Sequence, residues 1–227
     1  MKTIRKQTLC FVVIVFAGGA YFNLLCAAEE KNAISAQQAW QLLKEGNARF
    51  AADRSEHKDL SQKRRLELVK GQHPIAVVLA CADSRVAPEL IFNQGLGDVF
   101  VLRVAGNIAE PFVLGSVEYA VEHLHTPLVV VLGHEKCGAV VAALDAEMPG
   151  GNLRTVINNV YIGKHLPIEP DAALSAAITN NVLHQTELIT DRSYSLKKAV
   201  DEKKLKIVSG VYHLDSGKVE WLGESQE

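Results

Sequence analysis

The chain has 227 residues, 48% hydrophobic and 22% charged, with a formal net charge of −2. Those proportions describe one globular domain with a sizeable core and exclude a disordered, coiled-coil or repeat architecture. Basic residues form no patch suited to nucleic acid; Lys63-Arg64-Arg65 falls in a helical pattern and reads as a solvated face.

The N-terminus reads as a secretory signal. Lys2, Arg5 and Lys6 precede the uncharged stretch CFVVIVFAGGAYFNLLCAA (10–28), and Glu29 and Glu30 open a polar segment. An uncleaved anchor is the alternative, because the apolar stretch borders on spanning length. Cleavage after residue 28 would leave 29–227 as a single exported, periplasmic domain with no stable membrane insertion. Loss of three basic residues and no acids would shift its charge from −2 to −5. Cys10 and Cys26 would leave with the signal, so Cys81 and Cys137 remain. Two cysteines in an exported chain invite a disulfide, but their neighbours suggest otherwise.

Ser35 followed by Gln38 is a capping-box pattern that starts a helix bearing Trp40, Leu43 and Phe50. Ser61 caps a second helix, predicted to run to Gly71. Residues 29–72 are too polar for a core of their own and form a helical arm that packs on a sheet or a second subunit. IAVVLA (75–80), DVFVLR (98–103) and PLVVVLG (127–133) are short β-branched runs, as in parallel strands buried on both faces. Helical patterns lie between and after them at 112–124 and 137–148, and 149–203 is mainly helical. The tail 206–221 alternates around Asp215-Ser216-Gly217, a hairpin at the sheet edge. The fold class is therefore α/β: a central, mostly parallel sheet flanked by helices, with an N-terminal helical arm and a C-terminal edge hairpin.

Two motifs follow two of the strands. CADSR (81–85) follows the first and GHEKCG (133–138) ends the third, so both belong to the carboxyl edge where open α/β sheets bind ligands. His134 and Cys137 are three apart and Cys81 arrives from another strand; one imidazole and two thiolates suit zinc and leave its fourth position free, as in catalytic sites. Cys137 also opens a helix, where the dipole favours thiolate. The plainer alternatives are small buried cysteines with a core histidine, or a Cys81–Cys137 disulfide. An alternating backbone would align Cys81, Asp83 and Arg85 on one side. Arg85 can grip the Asp83 carboxylate with two N–H bonds. Asp83 then either accepts the proton of a zinc-bound water or swings over to become a fourth ligand in a closed state.

CADSRV (81–86), RVAGN (103–107), SVEYAVEHL (116–124) and GHEKCGAV (133–140) together resemble the β-class carbonic anhydrases, from about residue 35 to the C-terminal VYHLDSGKVEWL. The resemblance implies reversible hydration of CO2 to bicarbonate and a proton, by attack of a zinc-bound hydroxide. It implies one Zn2+ per chain on Cys81, His134 and Cys137, the Asp83–Arg85 pair as catalytic residues, and a homodimer or dimer of dimers. Gln72 matches a hydrogen-bond donor to substrate, and Phe100 and Tyr119 match residues lining the CO2 cleft, partly from the neighbouring subunit. Gly138 would let its backbone approach the site. One branch of the family has an inhibitory bicarbonate pocket of Trp, Arg and Tyr; Arg103 and Tyr212 match it, but Val78 replaces the tryptophan, so bicarbonate-linked closure is not expected. His123, one turn after Tyr119, is a candidate proton shuttle. A CS2 or COS hydrolase on the same scaffold and a non-catalytic zinc-binding protein are the rival functions. No deaminase motif and no G-x-G-x-x-G after a strand supports a nucleobase or nucleotide substrate.

Overall fold

The computed structural model describes residues 34–145 and 150–223; the expected signal over 1–28 lies outside them. Ser35 caps helix α1 (Ala36–Ala51) with the reciprocal Ser35–Gln38 box, and Ser61 caps α2 (Gln62–Leu68). Strand β1 (Ala76–Ala80) leads through α3 (Pro88–Ile91) to β2 (Val99–Arg103), and α4 (Pro111–His123) leads to β3 (Leu128–His134). Helices α5 (Gly138–Leu144), α6 (Gly151–Asn158), α7 (Pro170–Asp191) and α8 (Tyr194–Asp201) precede β4 (Lys206–Tyr212) and β5 (Val219–Leu222).

The five strands lie in the order β2-β1-β3-β4-β5, all parallel except the β4–β5 pair. The chain passes from β1 to β2 on one side and then to β3 on the other. Adjacent strands β1 and β3 therefore send their following loops apart and open a crevice at the carboxyl edge.

The strand period sorts side chains onto two faces. Val77, Leu79, Val129 and Val131 share a buried core with Leu114 and Val117 of α4 and with Ile178 and Val182 of α7. On the opposite face Val78, Val130 and Leu132 are fully buried, and α1, which buries Ala39, Trp40 and Leu43, packs against β3. The α1 arm is pinned by polar contacts as well. Buried Asn47 donates to the carbonyls of Ile91 (3.2 Å) and Gly217 (2.8 Å) and accepts the Val219 N–H at 2.9 Å. Trp221 stacks on Phe92 at 6.0 Å and meets Trp40 edge-on at 5.7 Å.

Three expectations need correction. Helix α2 stops at Leu68, short of Gly71, and buries no residue; it is tethered by Arg64, which donates to the Leu96 carbonyl and pairs with Asp98. The helix after Cys137 ends at Leu144, and 146–148 lie outside the described residues. Strand β2 is only half-buried, because it is the sheet edge and its outer side meets no strand among the described residues.

Gly46 lets α1 close on the loop after α3. A Cβ there would lie 1.8 Å from the Phe92 carbonyl oxygen, and backbone cannot yield as a side chain can. Gly46→Ala should lower the urea midpoint by the equivalent of about 1–3 kcal/mol; an unchanged midpoint would mean that α1 is not docked as described.

Candidate metal centre

The β1–β3 register sets Ala80 beside Leu132, so Cys81 and His134 leave neighbouring strand ends within reach of each other. Cys137 arrives one turn later as the N-cap of α5, after Lys136 bends the chain through a left-handed φ of 52°. The donor atoms of Cys81, His134 and Cys137 all lie within 4.8 Å of one another, and all three residues are buried. The sulfurs are 3.9 Å apart and unbonded, which excludes the disulfide.

The chemistry of the three donors suits a metal cation. His134 Nδ1 donates to the Glu135 carbonyl at 2.8 Å, which leaves Nε2 as the lone-pair donor. That Nε2 is buried with no hydrogen-bond partner, a costly arrangement unless it serves as a ligand. Sharing a proton with Cys137 pulls the Cys81 thiol down, helped by the backbone at Asp83 and Gly106. The same sharing, with burial, pushes Cys137 far up, against the pull of the α5 amides at Val140 and Ala139. Two buried sulfur anions this close need a cation between them, and two thiols plus one imidazole fit zinc.

Asp83 and Arg85 do pair, but for a different reason from the alternation expected. Ser84 and Arg85 form a turn, closed by the Val86 N–H donating to the Asp83 carbonyl at 2.9 Å. The turn folds Arg85 back onto Asp83. Its Nε and Nη2 donate to the two carboxylate oxygens at 2.9 and 2.8 Å, and its own backbone N–H donates at 3.0 Å. These bonds hold the Asp83 carboxyl well below the usual carboxylate range. Its Oδ2 lies 3.9 Å from His134 Nε2, so the carboxylate faces the donor cluster from the solvent side.

Two residues have structural roles that the sequence did not indicate. Arg103, opposite Ala80 at the end of β2, donates from Nε to the Cys81 carbonyl at 3.0 Å and from Nη2 to the Asp83 carbonyl. It clamps the CADSR backbone. Glu135 accepts the Leu214 N–H at 3.0 Å and pairs with His213 Nδ1 at 2.7 Å, and Glu220 holds the other imidazole nitrogen at 3.1 Å. Partial burial opposes protonation of His213, but the two carboxylates raise its pKa overall. The C-terminal hairpin thereby anchors the loop between two donors. The pairing Tyr212↔His134 foreshadows this contact, but only once β4 is known to lie beside β3.

The expected substrate-lining residues lie elsewhere in the chain. Phe100 sits opposite Val77, four residues before Cys81, about 13 Å back along the sheet. Its ring meets Tyr119 at 6.4 Å, and half-exposed Tyr119 meets exposed His123 at 5.3 Å. Gln72 lines a cavity of about 980 Å³ together with Leu68, Val69, Leu90 and Leu96, and that cavity's lining includes none of the three donors. A Cβ on Gly138 would meet nothing within 4 Å, so packing inside one chain does not require glycine there. Val78 is fully buried in β1, and Tyr212 is buried beside His134.

Comparison with known proteins agrees with this geometry. The sequence profile of the carbonic anhydrase family matches residues 76–219. Carbonic anhydrase 2 of Mycobacterium tuberculosis is 44% identical over 185 residues, 79% of this chain and 89% of that protein. The carbonic anhydrase of Mycolicibacterium smegmatis is 42% identical over 190 residues, 80% and 91% of the two chains. The solved structure of the β-carbonic anhydrase CcaA aligns with a TM-score of 0.65 at 26% identity, covering 80% of this chain and 94% of that one. The chain belongs to the β-carbonic anhydrase family, and its enzyme class is carbonic anhydrase, a lyase.

The proton shared by the two sulfurs must leave when a metal enters. Zinc affinity should therefore rise with pH, by about tenfold per unit between roughly pH 7 and 8.5, with about one proton released per ion. Competition against a chromophoric chelator measures this; a pH-independent affinity would contradict the shared-proton state.

Proposed function

We propose that the protein catalyses the reversible hydration of carbon dioxide to bicarbonate and a proton at one zinc ion held by Cys81, His134 and Cys137. The observation that carries this reading is the unpartnered His134 Nε2 beside two unbonded sulfurs, faced by a carboxylate that Arg85 keeps ionised. Zinc at such a site supplies Lewis acidity that makes water a nucleophile near neutral pH.

The residues of the chain do the rest. Asp83 is too acidic to hold a proton for long at neutral pH, so its role is to accept a hydrogen bond and aim the nucleophilic oxygen at carbon. Arg85 fixes that carboxylate with two parallel bonds. Arg103 keeps the turn that carries both in place. If Arg85 lets go, Asp83 is the group near enough to fill the fourth ligand position and close the site. The absence of tryptophan at Val78 supports an enzyme without bicarbonate-linked closure.

Gln72, Phe100 and Tyr119 are proposed to line the CO2 cleft of a second copy of the chain, with Gly138 beside that cleft. Phe100 is too far from its own Cys81, and β2 presents an open, half-apolar edge where a symmetry-related strand can pair. The working unit is then a homodimer or a dimer of dimers. Residues 1–28 are proposed to direct export to the periplasm and to be removed there, leaving the 29–227 domain with its 29–72 arm.

Stopped-flow CO2 hydration on zinc-loaded protein tests the reading. Activity should be present at about pH 7–9, and Asp83→Ala and Arg85→Ala should each lower kcat/KM about 100-fold with zinc retained. Stoichiometric zinc with no hydration in the unaltered protein would overturn it.

A further inference from the structure

The Gly106 N–H reaches the Cys81 sulfur at 3.4 Å, beside a backbone contact from Asp83. Gly106 sits in a short 3-10 turn, Ala105–Asn107, with a left-handed φ of 72°. A Cβ there would press on Val160 Cγ2 at 3.0 Å and Ala139 Cβ at 3.3 Å. Glycine is required at this position, and a glycine in a turn needs something to hold its peptide at a fixed angle.

Asn181, from the middle of α7, does so. Its Nδ2 donates to the Gly106 carbonyl at 2.8 Å. Its Oδ1 accepts the Tyr161 N–H at 3.1 Å and Gln185 Nε2 at 3.1 Å. Gln185 in turn donates to the Asn159 carbonyl at 2.9 Å and accepts the Ala109 N–H at 2.8 Å. Both side chains are fully buried. The partners allow only one orientation of the Asn181 amide. Flipping it would set two oxygens together at Gly106 and set an NH2 group against two other donors.

This network lies on a helix face otherwise made of Ala177, Ile178, Val182 and Ile189, all buried in the apolar core. Aliphatic side chains there would pack without the cost of burying two amides. A satisfied buried network is rigid, and here the rigidity is delivered to Gly106: its carbonyl is held by Asn181, and its N–H, on the other side of its Cα, meets a sulfur of the donor cluster.

We propose that Asn181 is a positioning residue for the metal centre: by fixing Gly106, it keeps an N–H on the Cys81 sulfur and so sets how strongly that thiolate donates to the metal. The inference rests on the zinc reading above. An N–H bonded to a metal thiolate draws charge from it, and such outer contacts tune both affinity and electronic structure.

Cobalt replacing zinc in the full chain gives a direct optical readout, the thiolate-to-cobalt charge-transfer band. In Asn181→Leu the band should move to longer wavelength, because a thiolate without its N–H gives up electrons more easily. Metal release to a chelator should be about tenfold faster despite the stronger donor, because the turn beside Cys81 is no longer held in place. Ile189→Ala, buried on the same helix but bonded to none of this network, should lose stability and leave the band in place. A loaded Asn181→Leu protein with an unmoved band overturns the inference alone. A chain that takes up no cobalt overturns the zinc reading and the inference with it. If Asn181→Leu does not fold, the unaltered protein loaded with cadmium-113 decides. Scalar coupling between the Gly106 amide proton and the metal is then expected, and its absence overturns the proposal.

Discussion

Two sulfur atoms 3.9 Å apart in a buried site cannot both be anions unless a cation sits between them, and much of this structure serves to keep them there. Parallel pairing of β1 and β3 fixes where Cys81 and His134 leave the sheet, and the left-handed Lys136 brings Cys137 back to them. The fully buried core below holds that register. A slip of one residue would turn Cys81 to the opposite face and lose the site.

Around the donors, the fold uses backbone anchors from four separate elements. Arg103 of β2 holds the carbonyls of the CADSR turn, and Glu135 is tied to His213 and Leu214 after β4. Asn181 of α7 holds Gly106, and the Ser84–Arg85 turn brings Arg85 onto Asp83. Each acts on a residue next to a donor or on a donor's own backbone. Metal ligands are strong but not self-orienting, and their precision comes from contacts of this kind.

The strand runs, the hairpin tail and the Ser35 cap were legible because each is a local signal: β-branched continuity, alternation around a turn, a hydroxyl three residues before glutamine. The three donors and the Asp83–Arg85 pair were legible because spacing and residue chemistry restrict what such residues can do together. The mechanism of the pairing was misread. Alternation and a tight turn both bring residues two apart to one side, and sequence periodicity does not separate them. Arg103, Glu135 and Asn181 were missed or misassigned because their partners lie 22, 78 and 75 residues away, where only the finished topology makes them neighbours. The half-buried β2 was read as interior because a continuous β-branched run has the same composition in an edge strand as in a central one.

The central claim is that Cys81, His134 and Cys137 hold one zinc ion, with Asp83 beside it and not bonded to it at rest. Zinc X-ray absorption on the purified protein, with metal analysis, tests it most directly. The expected result is one zinc per chain with two sulfur neighbours and one imidazole, unchanged in Asp83→Asn near pH 8. A zinc shell lacking the two sulfurs, or one that loses an oxygen neighbour in Asp83→Asn at that pH, would contradict it.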